Sequence, residues 1–339
     1  MKLIKTEDAV GHVLCHDMTQ IIPGVSKGPR FHKGDIVKPE DVEVLLSMGK
    51  EHLYVWEMDE GMVHENDAAL RLADLIAGKG CDKSQPAEGK VKISANTDGV
   101  LLIDSERFLA INSIDEIMAA SRKGNFAVKK GDYLCGTRVI PLIVEEQRLM
   151  QAESYKTDED IMRVEPFKLR RAAIITTGSE VFKGRIKDKF TPVVQAKLKE
   201  FGVEMVHHAF VDDEMEHLVD AIAEARTKDV DFILCTGGMS VDPDDNTPGA
   251  ISRSGANIVT YGAPVLPGAM FVLGYFDDGC PIVGLPGCVM YAGRTIFDLV
   301  LPRICAGVKL EKKDFVELGE GGLCLECDVC TYPICPFGK

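Results

Sequence analysis

No stretch of this 339-residue chain stays apolar for the ~18 residues that a membrane helix needs. The best candidate, 263–276, is broken by Pro264, Pro267, Gly268 and Gly274. The opening Met-Lys-Leu-Ile-Lys-Thr-Glu-Asp lacks the apolar centre of a signal peptide, so a cytoplasmic protein is expected. Positive charge is also scarce. With 39 Lys and Arg against 53 Asp and Glu, the net charge is −14, which excludes nucleic acid and anionic membrane as the main partner. What remains, 45% hydrophobic and 27% charged residues, suits a globular chain of about two domains. Of the 11 cysteines, seven stand singly in or near apolar sequence and read as reduced core residues. The other four, Cys324, Cys327, Cys330 and Cys335, crowd the last sixteen residues.

Residues 1–150 read as an α+β domain with a β-rich subdomain near 88–145. Strands are expected at 10–14, 52–56, 89–94, 99–103, 127–130 and 137–143. Helices are expected at 39–48, 65–78 and 115–121, the second from the apolar spacing of Ala69, Leu72, Ala73 and Ile76. Residues 151–168 read as a linker helix. From Arg170 the pattern becomes a regular alternation of strands and helices, expected to give a three-layer, doubly wound, mostly parallel α/β sheet over 169–310. In such sheets ligands sit beyond the carboxyl ends of the strands. Glycine turns fall there at Thr177-Gly178, Thr236-Gly237-Gly238 and Pro286-Gly287, and Pro267-Gly268 lies between the last two.

The middle turn organises the chain. Strand-like 230–235 runs into Thr236-Gly237-Gly238, where paired glycines let backbone N–H groups face a ligand. Asp242, Asp244 and Asp245 follow within four residues. Asn246 or Thr247 can cap a helix with Pro248 at its first position, and a helix start favours an anion.

Thr176-Thr-Gly-Ser-Glu-Val181, Thr236-Gly-Gly-Met-Ser-Val241 with Asp245, Pro267-Gly268 and Gly284-Leu-Pro-Gly287 resemble, in order and spacing, the molybdopterin-binding domain of molybdopterin adenylyltransferases, molybdotransferases and gephyrin. The resemblance covers about 170–307. It implies a pterin dithiolene phosphate, molybdopterin or the molybdenum cofactor, held by Thr177, Gly178, Ser179, Glu180, Thr236, Gly237, Gly238, Ser240, Pro267, Gly268, Pro286 and Gly287. It implies catalytic roles for Asp242 and Asp245, with Asp245 near the metal and Mg²⁺ as a helper ion. By resemblance the chain forms a homodimer. The sequence departs from the molybdotransferases at Ser179, usually Asp, at Ala269, usually Lys, and at Cys288-Val289, usually Asn-Pro. No Asp-Gly-Tyr-Ala segment stands in the first half.

Two functions follow from the resemblance. The acids at 242–245 favour an enzyme that inserts molybdate into adenylylated molybdopterin. Ser179 and Ala269 favour a carrier or sensor of the cofactor that serves a molybdenum hydroxylase. A nucleotide-binding module without pterin is a third reading. The tail run Cys324-x-x-Cys327-x-x-Cys330-x-x-x-x-Cys335-Pro336 is similar to the bacterial ferredoxin run with one residue more before the last Cys, and predicts an iron–sulfur cluster or Zn²⁺. Gly319-Glu-Gly-Gly322 reads as a flexible hinge, which would make 323–339 a separable module.

Overall fold

The computed structural model describes residues 2–22, 26–55, 61–240, 242 and 245–339. The chain divides into two compact units. The first comprises Met1–Thr97, Ile103–Arg122 and Lys129–Val164; the second comprises Asp98–Leu102, Lys123–Val128 and Glu165–Lys339. Residues 98–102 and 123–128, expected in the first domain, therefore belong to the second.

In the first unit, an antiparallel sheet runs in the order Cys81–Lys83, Lys90–Ala95, Tyr133–Val139, Ile117–Ser121. The helix Glu65–Ile76 covers it, burying Ala69, Leu72, Ala73 and Ile76, and the Thr137 hydroxyl donates to the Ala69 carbonyl at 2.8 Å. A smaller core gathers Leu14, Met18, Phe31, Val37 and Leu53 around Leu45 of the helix Pro39–Ser47.

Several expectations are corrected here. Residues 115–121 hold a strand, Ile117–Ser121, and the neighbouring helix is Ser105–Asn112, capped by the Asp104 carboxylate. The short alternation at 117–121 lacks the length to sustain a helix. Residues 10–14 form a turn with isolated bridges from Val13 and Leu14 instead of a strand. The expected strand 137–143 is split into Tyr133–Val139 and Ile143–Glu145. The linker helix 151–168 is replaced by a helix that ends at Glu153 and a strand, Met162–Pro166. Trp56 lies outside the described residues.

The second unit is built on a six-stranded sheet. Its elements in chain order are β1 (Arg171–Thr177), α1 (Phe190–Lys199), β2 (Glu204–Val211), α2 (Met215–Thr227), β3 (Phe232–Thr236), α3 (Thr247–Arg253), β4 (Asn257–Tyr261), β5 (Val272–Tyr275), β6 (Pro281–Leu285) and α4 (Ile296–Cys305). The strand order is β2-β1-β3-β6-β5-β4. β2, β1, β3 and β6 are parallel, while β5 runs antiparallel to both of its neighbours. β5 lies within the interrupted apolar run 263–276 and supplies the sheet's antiparallel element.

Strand periodicity sends side chains alternately to two cores. Ala172, Ile174, Phe232, Leu234, Val283 and Leu285 join one core with Val194 and Leu198 of α1 and Ile296, Phe297 and Val300 of α4. Ala173, Ile175, Ile233, Cys235 and Ile282 join the other with Leu218, Ile222 and Ala225 of α2 and Ala250 and Ile251 of α3. Helices thus cover both faces, which is why the central strands read as continuous apolar runs.

The tail is not a detached module. Phe337 is only 2% exposed and belongs to the first of these cores, with Tyr332, Cys324 and Cys335 packed against it. The Tyr332 hydroxyl donates to the Asp298 carbonyl at 3.1 Å, and Gly338 N–H donates to Gly321 O at 2.9 Å. The glycines of the supposed hinge are sites of close backbone approach. A methyl group on Gly321 would lie 2.3 Å from Lys339 O, and one on Gly322 would lie 2.3 Å from Leu318 O.

Candidate functional site

The carboxyl ends of β1, β3 and β6 stand side by side, with Thr176 opposite Thr236 and Thr236 opposite Leu285. Three turns leave this edge together: Gly178-Ser179, Gly237-Gly238 and Pro286-Gly287. The connection 262–271 from β4 to β5 falls at the same edge, because β4 runs parallel to β6 and Val272 pairs with Gly284.

Gly237 (φ 86) and Gly238 (φ 55) adopt left-handed backbone. The reason lies in the neighbouring turn. A methyl group on Gly237 would lie 2.6 Å from the Thr177 carbonyl oxygen, and one on Gly238 would lie 2.8 Å from Thr247 Oγ1. The Thr247 hydroxyl donates to Gly237 O at 2.8 Å and its N–H donates to Gly238 O at 3.2 Å. Gly287 differs: it is exposed, and a methyl group there would meet nothing within 4 Å. Gly268 is buried, and a side chain on it would strike Ile296, so its role is to seat the start of α4. Pro267 O accepts the Ile296 N–H at 3.2 Å.

Two buried hydroxyls at this edge, Thr177 Oγ1 and Thr236 Oγ1, have no hydrogen-bond partner among the described residues. A buried polar atom without a partner is costly, so such a pair at a strand end fits a bound polar molecule or water. Just beneath, His208 Nε2 lies 3.0 Å from Thr176 Oγ1 and 3.2 Å from Thr191 Oγ1. Loss of solvent holds the His208 imidazole below its ordinary value of 6.5, favouring the neutral ring. Burial pushes the Cys235 thiol, two residues before Gly237, up to about 12, so it stays protonated and inert.

Asp213, at the carboxyl end of β2, was missed by sequence reasoning. Its carboxylate accepts the Ser179 N–H at 2.8 Å, and its carbonyl accepts from Asn246 Nδ2 at 2.8 Å. It ties the first glycine turn to the start of α3. Its position just past a parallel strand was the available signal. The Glu180 side chain is exposed, as are Ser240 and Asp242. The segment after Glu180 presents Lys183, Arg185, Lys187 and Lys189, all exposed.

The acidic segment is folded on itself. Asp242 N–H donates to Asp245 Oδ2 at 3.3 Å, and Asp245 N–H donates to Asp242 O at 3.0 Å. Val241, Pro243 and Asp244 lie outside the described residues. Helix α3 has seven residues and no side-chain cap on its N-terminus; Asn246 turns to Asp213 instead. Among the described residues, no three His, Cys, Asp or Glu side chains are gathered to hold one ion, and no helix is long and apolar enough to cross a membrane.

Residues 173–306 match the family model described as a probable molybdopterin binding domain, and residues 3–57 match a domain of unknown function. The chain is similar to a molybdopterin molybdenumtransferase of Staphylococcus epidermidis, with 24% identity over 319 residues, covering 87% of this chain and 69% of that protein. It is also similar to a CinA-like protein of Mycobacterium marinum, 32% identical over 83 residues, which cover 24% of this chain and 20% of that one. Among solved structures, the molybdopterin biosynthesis Mog protein of Mycobacterium ulcerans matches with 20% identity and a TM-score of 0.35, over 41% of this chain and 97% of that one.

Proposed function

We propose that this chain binds molybdopterin or the molybdenum cofactor at the carboxyl edge of β1, β3 and β6 and acts in assembly of that cofactor, a reading supported by the match of residues 173–306 to the model of a probable molybdopterin binding domain. The observation that carries the reading is the pair of buried hydroxyls of Thr177 and Thr236 at the glycine turns, which have no hydrogen-bond partner among the described residues. They fit a polar ligand seated against Gly178, Gly237 and Gly238. Gly287 leaves room for it, and the cationic segment 183–189 suits its phosphate.

The reaction proposed is molybdotransferase-like, supported by the 24% likeness that spans most of the chain. Asp242 and Asp245 would hold Mg²⁺ or face the oxyanion, in a soluble, cytoplasmic homodimer. A second reading is a carrier that hands the cofactor to a molybdenum hydroxylase. It is favoured by Ser179 and Ala269, which supply neither carboxylate nor ammonium, and by an Asp245 carboxylate already engaged with its own loop.

One assay separates the two. The chain is incubated with adenylylated molybdopterin, molybdate and Mg²⁺, and AMP release is followed beside equilibrium binding. Release that falls in Asp245→Asn while binding persists supports the transferase. Binding without release supports the carrier. Failure to bind molybdopterin, with AMP alone bound, overturns both and leaves a nucleotide module. Sedimentation of the same preparation tests the dimer.

A further inference from the structure

The tail lines a cavity whose cysteines neither proposed reaction uses. Its volume is about 430 Å³, and Cys324, Cys327, Cys330 and Cys335 all line it, as do Pro267 and Arg294. We propose that these four thiolates ligate an iron–sulfur cluster in this cavity.

Three observations support a cluster. The first is spacing: Cys324, Cys327 and Cys330 recur every third residue, as do the three thiols of a ferredoxin run that share one cluster, and Cys335, which precedes Pro336 and lines the same cavity, is the fourth thiol at hand. The second is that the thiols sit on a fixed frame. Cys324 N–H donates to Leu266 O at 2.8 Å, and Leu266 N–H donates to Gly322 O at 2.8 Å. Beyond the last thiol, Phe337 is anchored in the core. At the cavity, Arg294 pairs with the buried Asp298 at 2.8 Å and stacks over Tyr332, 4.9 Å from the ring centre. Ligands held on such a frame need only side-chain rotation to close on their metal.

The third observation is size. A single Zn²⁺ draws its sulfurs to about 2.3 Å from one point. The four cysteines instead line a cavity with room for more than one ion, and among the described residues no three His, Cys, Asp or Glu side chains are gathered to hold a single one. An iron–sulfur cluster, with several metals and sulfides, takes its thiolates farther apart than one ion does, so less side-chain rotation closes them on it. Without it, Cys327 and Cys330 would stand exposed as free thiols, open to oxidation.

Ligation is a proton-for-iron exchange. Each thiol releases one proton as its S–Fe bond forms, so four protons leave per cluster. No electron acceptor is needed when ferrous and ferric iron are supplied in equal amounts with one sulfide per iron.

The test uses the full chain, isolated without oxygen and reconstituted with that mixture. Iron and sulfide should be bound in equal amounts, with broad visible absorption and a paramagnetic signal on reduction. Cys327→Ala and Cys330→Ala, both at exposed positions, should keep the circular dichroism of the parent and lose bound iron by at least about tenfold. Cys288→Ala, outside the cavity, should retain the cluster. Zinc alone in the parent, absence of metal in a folded parent, or full iron in Cys330→Ala would each overturn the proposal. These readouts need no pterin, so they stand apart from the cofactor-assembly reading.

Discussion

Two glycines of the same edge do opposite work. Gly237 is required by the protein itself, since the Thr177 carbonyl stands where its side chain would be. Gly237→Val should therefore cost about 2 kcal/mol or more of stability from backbone strain and overlap, seen as a lower urea midpoint. Gly287→Ala adds a methyl group to open space and should leave that midpoint unchanged while weakening pterin binding. Equal affinity in Gly287→Ala would remove this turn from the ligand's path. The two look alike in sequence, because a glycine letter does not say whether the missing Cβ is excluded by the fold or by a ligand. The position of Thr177 at the end of an apolar strand was readable; that its hydroxyl has no partner among the described residues was not, since that depends on what the adjacent strand places beside it.

At the level of elements, α4 is pinned by charge as well as by apolar packing. Lys197 of α1 reaches Asp298 at 2.6 Å, and Arg294 reaches the same carboxylate at 2.8 Å, with both partners of the first pair almost wholly buried. Asp298 also closes the capping box with Thr295. Removing one partner of a buried pair strands the other, so Asp298→Ala should cost about 3–5 kcal/mol, read by chemical denaturation. A loss below about 1 kcal/mol would mean that water already screens the site. The helices and parallel strands were legible because their periods differ and each has enough length to declare its period. The 117–121 strand and the split at 140–142 were not legible. A five-residue run carries too little periodicity, and pairing with 133–139 decides its state.

For the whole molecule, three imidazoles set a pH dependence. Loss of solvent is the first cause holding His16, His64 and His208 below their ordinary 6.5. The unfolded chain takes up these protons near 6.5 while the folded chain resists. Their share of stability is therefore complete above 6.5 and falls as pH drops beneath it, toward the folded values, while the exposed His217, raised by its hydrogen bond to Asp212, acts in the opposite sense. Urea midpoints at about pH 7.5 and 5.5 should show this decline, and His208→Gln should flatten part of it. An unchanged slope in that variant would place the effect elsewhere. The tail is part of the same cooperative structure: Phe337→Ala should cost about 3–5 kcal/mol, and deletion of 323–339 should lower the midpoint of the second unit instead of sparing it. The glycine-rich stretch before it reads as a hinge in sequence because close approach of two backbones and freedom of one use the same residue. Asp213 has a consequence for heredity. One residue just past β2 holds the Ser179 turn with its carboxylate and the Asn246 side chain with its carbonyl, while Gly237 leans on Thr177. These segments, far apart in the gene, can be exchanged with those of a relative only as a set. A chimera that imports 236–247 alone inherits a lock without its key.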